Sequence, residues 1–295
     1  MKNFHTKWLG KECVYKEITD STSNDISRLA LEGAPEGTIV IADVQTAGKG
    51  RRGRRWESTN GTSLLFSILL RPELEPDKAP QITLLMALAV AKVVSEWLHL
   101  EARIKWPNDV VVNKKKVCGI LTEMQLKGGA IDFVVVGTGV NVNQKSISED
   151  LQESATSLLL EKNRLALMAE NIDKQFVHEI RMIESLTEED VPDFEKKSFI
   201  ESLDRETLLK LILQAFEEYY EIFLRTRDLS GLMEEYNERL VSLDKEVKVL
   251  DPKGEFTGIS KGINEKGELL VELPSGEVTA IYAGEVSVRG LYGYV

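Results

Sequence analysis

The chain is poor in the residues that build metal centres and disulfide scaffolds. Of 295 residues only two are cysteine, three histidine and eight proline. Cys13 and Cys118 stand far apart, outside any metal-ligand spacing, so a reduced, cytoplasmic setting is the expectation. His5, His99 and His178 have no second ligand at helical spacing, which argues against a zinc site. The opening residues, MKNFHTKWLGKECV, lack an apolar signal core. The longest apolar run, Ile82 to Val94, is broken by Lys92 and falls short of a bilayer span. An excess of positive charge is also missing. The 48 acidic residues outnumber the 37 basic ones and the net charge is −11, so general binding to nucleic acid or anionic membrane is not expected. With 42% hydrophobic and 29% charged residues, what remains is an ordinary globular composition, long enough for one large domain and a small one.

The pattern along the chain predicts strands over 12–19, 38–44 and 63–70. A helix lies between the first two, with Asp20 or Ser21 as its cap and Gly33 at its end. A longer helix covers about 80–98, followed by short strands near 109–113, 117–123 and 131–138. Strands outnumber helices without alternating strictly with them. That predicts an α+β class: a mixed sheet packed on helices, expected on one face. Residues 161–206 carry 13 acidic against 7 basic residues. There Leu165, Met168, Ile172, Phe176 and Ile180 suggest an amphipathic helix, and TEEDVPDFEKK a solvated loop. Helices follow over about 206–225 and 229–240. From 244 onward, short β-runs separated by DPKG, NEKG and PSG turns predict a small SH3-like barrel.

The most informative segment is QTAGKGRRGRRW, 45–56. Lys49, Arg51, Arg52, Arg54 and Arg55 crowd into an otherwise acidic chain, interleaved with Gly48, Gly50 and Gly53. Such a loop can wrap a polyanion, with glycine amides approaching phosphate oxygens and arginines forking onto them. Its G-x-G-x-x-G lettering is not a dinucleotide fingerprint, because the chain runs on into a strand where the fingerprint needs a helix. A solvated basic loop fits the same residues, but a nucleic-acid tail would sit at a chain end. Further along, Lys105 beside Trp106 needs a partner for its ammonium, and Asp109 is the nearest candidate. Lys116 enters a strand, with two readings open: a strand-edge charge, or an ammonium aimed at an anion. Gly137 and Gly139 interrupt VVVGTGVNVN and mark either a β-bulge or a close backbone approach by a ligand. Asp20-Ser-Thr-Ser-Asn24 is a helix start that equally offers hydroxyls to a polar ligand head.

Together DST at 20–22, QTAGKGRRGRRW at 45–56, KWPNDV at 105–110, KKVCGIL at 115–121, GTGVNVN at 137–143, ATSL at 155–158 and GEVSVRG at 284–290 resemble the biotin–protein ligases over nearly the whole chain. The resemblance implies a class II synthetase-like catalytic domain at 1–243, with a helical insertion at about 161–206, and an SH3-like domain at 244–295. It implies ATP and biotin as substrates, Mg²⁺, and a biotin carrier domain of a carboxylase as acceptor. Carried over, Arg51 and Lys116 are the catalytic residues. Ser21, Thr22, Ser23, Gln45, Lys49, Gly50, Arg51, Lys116, Gly137 and Gly139 bind biotin. Arg51, Arg52, Arg54, Trp56, Asn108, Asn141 and Arg289 bind ATP. No metal ligand is assigned. Lys49 stands where many members have arginine, and Ser23 where the motif would have asparagine. A DNA-binding domain ahead of the catalytic one is not expected, nor a repressor function, DNA or membrane as partner. A homodimer is left open. Lipoate–protein ligases share this chemistry but are expected to lack the full RRGRRW loop.

Overall fold

The computed structural model of the chain describes residues 4–57, 61–168, 200–251, 254–282 and 287–290. Its larger sheet has seven strands: β1 (Cys13–Thr19), β2 (Ile39–Gln45), β3 (Ser63–Leu70), β4 (Ala102–Lys105), β5 (Asp109–Val112), β6 (Lys115–Lys127) and β7 (Ala130–Asn141), in the order β1-β2-β3-β7-β6-β5-β4. Strands β1 and β2 are parallel and all other neighbours antiparallel, so the sheet is mixed. Strand β4 is absent from the expectation; its ARIK alternates over only four residues, too few to stand out.

Alternate residues on a strand face opposite ways, and each face of this sheet is covered. Helix α2 (Gln81–Leu98) and helix α4 (Arg205–Thr226) pack on the face that presents Ile39, Ile41, Phe66, Ile68, Val134 and Val136. Helix α1 (Thr22–Leu31) places Ile26 and Ala30 against Val40, Leu69, Phe133 and Val135 on the other. The expectation of helices on one face is therefore corrected. The cause lies in the neighbouring strands, whose residues on both faces are apolar. Helix α2 is long and apolar enough by composition to cross a membrane, yet it is buried as the core helix of this fold.

Helix α3 is described over 158–168. The remainder of the expected amphipathic helix, including Ile172, Phe176 and Ile180, and the TEEDVPDFEKK loop lie outside the described residues. The chain is pinned on either side of that stretch. Asn163 exchanges two hydrogen bonds with the Ile200 backbone, and Asn143 two with Leu203. Helix α4 then starts at a true cap, the Asp204 carboxylate accepting from Glu206 N at 2.9 Å.

After α5 (Met233–Arg239) come β8 (Glu246–Asp251), β9 (Gly254–Ile263), β10 (Leu269–Glu272), β11 (Val278–Ile281) and β12 (Ser287–Gly290). They form a separate antiparallel sheet in the order β11-β10-β9-β8-β12. Among the described residues no β11–β12 pairing closes it into a barrel.

Candidate functional site

Strands β3, β7 and β6 carry small residues where a core strand would carry large ones: Ser67, Gly137, Gly139 and Gly119. These face the α1 side and leave a cleft between the sheet, the start of α1 and the 45–56 loop. One end is polar. The Gln45 amide oxygen accepts from Thr22 N (2.8 Å) and Thr22 Oγ1 (3.0 Å). Thr22 Oγ1 and Ser23 Oγ each bond Ser67 Oγ, at 2.8 and 3.1 Å. Ser21 is the N-cap of α1, yet its side chain makes no capping bond and instead lines the cleft. A capping hydroxyl ordinarily contributes about 1 kcal/mol to a helix; here it is left for another partner. Gly137 makes this end possible, since a Cβ there would stand 2.5 Å from Ser23 Oγ.

The loop folds as a small hairpin. Lys49 and Arg55 form a β-bridge, Gly50 N donates to Arg54 O (2.8 Å) and Trp56 N to Gly48 O (3.0 Å). Arg52 and Gly53 turn the tip with φ of +59° and +73°, the left-handed region that glycine enters without strain. Lys49 ties the hairpin to Glu123 of β6 at 3.1 Å. The Trp56 ring then lies on the sheet. A Cβ at Gly139 would meet it at 2.6 Å and one at Gly119 at 2.8 Å, so these two glycines are the seat of the indole. That is a close approach, the second of the two sequence alternatives for Gly139, but by a side chain of the same chain. Trp56 Nε1 is buried without a hydrogen-bond partner among the described residues.

The other end is cationic. Lys116 Nζ lies 2.6 Å from Asp109 and 5.5 Å from the Trp56 ring centre, within cation–π range. Asp109 is thus ion-paired with Lys116, from the neighbouring strand, and stands opposite Lys105 in the β4–β5 register. Arg51 Nη1 donates to Asn108 Oδ1 at 3.0 Å. Partial burial pulls the Arg51 guanidinium below the ordinary arginine range, helped by Arg52 and Arg54 and opposed by Asp109; a half-buried cation of this kind gains from an arriving anion. Cys118, fully buried beneath this end, has its thiol pushed up by desolvation and offers no thiolate. Among the described residues no group of three or more His, Cys, Asp or Glu side chains gathers to hold a metal.

The cleft thus collects Ser21, Thr22, Ser23, Gln45, Lys49, Gly50, Arg51, Trp56, Asn108, Lys116, Gly137 and Gly139. Arg52 and Arg54 are exposed outside it. Asn141 is buried beyond it, its amide donating to Thr156 O and accepting from Gln144. Arg289 lies on β12 opposite Lys248; its side chain is outside what the structure describes. Sequence reasoning missed Gly119, Ile120, Leu121 and Thr138, which also line the cleft. For Gly119 the signal was present: a glycine inside a strand, read at 137 and 139 but not at 119.

Residues 15–141 match the biotin/lipoate A/B protein ligase family, and residues 242–289 the C-terminal domain of biotin protein ligases. The bifunctional ligase/repressor BirA of Bacillus subtilis is 31% identical over 285 residues, covering 96% of this chain and 76% of its own. A biotin–[acetyl-CoA-carboxylase] ligase of Paracoccus denitrificans is 28% identical, with 92% and 98% covered. The structure of a biotin protein ligase from Aquifex aeolicus in complex with biotin and ATP superposes with a TM-score of 0.69 at 29% identity, over 95% of this chain and 99% of that one.

Proposed function

Because the chain belongs to the biotin protein ligase family and is a ligase, we propose that it activates biotin as biotinyl-5′-AMP and transfers it to a lysine of a biotin carrier domain in the cytoplasm. The observation that carries this reading is one cleft with a polar clamp at one end, Arg51 and Lys116 at the other, and the Trp56 ring between them. Thr22, Gln45 and the serines suit a small uncharged polar head. The cationic end suits the carboxylate and the α-phosphate that must meet there.

In the first step a carboxylate oxygen attacks the α-phosphorus and the bond to the bridging oxygen breaks, releasing pyrophosphate. Two anions approach each other, so preorganised positive charge at Arg51 and Lys116 lowers the barrier. Mg²⁺ arrives on the phosphates as part of the nucleotide substrate, since magnesium is commonly held by phosphate oxygens and water with few protein ligands. In the second step the acceptor amine attacks the acyl carbon, the carbon–oxygen bond to phosphate breaks, AMP leaves and a proton is released. The 45–56 hairpin over the cleft shields the anhydride from water. In the same reading the catalytic unit ends near 243, and the C-terminal sheet is an SH3-like module whose Arg289 serves the nucleotide. A biotin-dependent exchange of labelled pyrophosphate into ATP tests the first step. Exchange with biotin supports the assignment; exchange with lipoate alone would transfer it to the sister activity, and exchange with neither would remove it.

A further inference from the structure

Four residues of the β4–β5 hairpin tie together parts of the molecule that are far apart in sequence. Ile104 O accepts from Val241 N (2.9 Å), and Ile104 bridges Leu240, so the segment leading into the C-terminal sheet is stitched to the edge strand β4. Two residues on, Trp106 is buried and its Nε1 donates to Gly267 O at 3.0 Å. Gly267 belongs to the NEKG turn between β9 and β10. It sits at φ +76°, and a Cβ there would stand 2.9 Å from Leu229 and 3.0 Å from Leu84. This turn thus lies close against Leu84 of α2 and Leu229. Next, Asn108 bonds Ile120 twice, its oxygen accepting from Ile120 N (3.0 Å) and its amide donating to Ile120 O (3.1 Å), while its side-chain oxygen holds Arg51. Then Asp109 holds Lys116 at 2.6 Å.

From this juxtaposition we infer that Trp106 is a positioning residue: its bond to the C-terminal sheet fixes the turn that sets Arg51 through Asn108 and Lys116 through Asp109. The inference rests on the proposed reaction for its activity readout only. The polar clamp, on α1, β2 and β3, shares none of these contacts. Loosening the turn therefore disturbs the activation of the acid and leaves the binding of its head intact.

The variant is Trp106→Phe, which keeps a ring in the core and removes the N–H. It is expected to weaken binding of biotin alone only slightly, through the carboxylate end, and to lose roughly ten- to a hundredfold in biotin-dependent pyrophosphate exchange, because small misplacements of reacting groups are costly. In a double-mutant cycle its loss is less than additive with that of Asn108→Ala, since the two share the Arg51 arm. Additive losses, an equal weakening of biotin binding, or an unchanged exchange rate would each overturn the inference. Asn264→Ala reaches the same tie from its exposed side. It removes the carboxamide that braces the Gly267 turn through Lys266 N and Glu268 N, and it is expected to show the same split in milder form. Hydrogen exchange at the Asn108 and Asp109 amides reads the tie without any catalysis. Faster exchange in Trp106→Phe supports it and unchanged exchange contradicts it, even if the wild type were inactive with biotin and ATP.

Discussion

At the scale of single residues the proposed activation of the acid depends on two cations that are already partnered. Lys116 is held by Asp109 and Arg51 by Asn108, so each is placed before a substrate arrives. Replacing either with alanine is expected to reduce adenylate formation on the order of 100-fold, measured by pyrophosphate exchange; Lys116→Gln separates charge from length. Gly139 makes a second residue-scale prediction. Gly139→Ala places a methyl group into the Trp56 ring, so biotin and ATP binding both weaken, and pairing it with Trp56→Ala restores part of the loss by calorimetry. These two sites also mark what was legible in the sequence. The basic loop, KWPND and the clamp hydroxyls were readable because charge and glycine crowd where a core strand should follow. Gly139's true neighbour was not. Nothing local tells a strand glycine whether a ligand or an indole from 83 residues upstream will fill its space.

At the scale of elements, α1 matters because it delivers Ser21, Thr22 and Ser23. It is fastened at Asp25, whose carboxylate is buried. Burial works against the charge, but hydrogen bonds from Lys16, Thr19 and Arg28 outweigh it and hold Asp25 below the ordinary carboxylate range. A carboxyl depressed by folding stabilises the protein above its unfolded value of about 4 and ceases to do so as pH falls through its folded value. Stability of the wild type should accordingly decline below about pH 4. Asp25→Asn should be less stable at neutral pH by about 2 kcal/mol and show a shallower acid decline, followed by urea unfolding across pH. Glu217 of α4 plays a comparable part for the N-terminal segment, accepting from the backbone N–H groups of Lys7, Trp8 and Leu9. Glu217→Ala leaves those donors unpaired and is expected to cost about 2–3 kcal/mol in the same assay. The sequence foreshadowed α1 through its start at Asp20 or Ser21 and its end at Gly33, and placed α4 at about 206–225. It could not show that α1 crosses to the opposite face of the sheet from α2, because the strands beneath are apolar on both sides.

At the scale of the whole molecule, two sheets that share no strand meet at the KWPND turn. The β-runs and turns at the C-terminus announced the second sheet. The bond from Trp106 to Gly267 spans 161 residues and has no local signature. The large sheet, the clamp and the cationic end serve one claim, the joining of biotin to an acceptor lysine through an adenylate. Its most direct test is the mass of a biotin carrier domain after incubation with the protein, biotin and MgATP, beside controls lacking ATP and controls with the acceptor lysine replaced. A gain equal to biotin less one water, dependent on both ATP and that lysine, is the expected result; an unchanged carrier mass in the presence of folded protein and both substrates would contradict the claim.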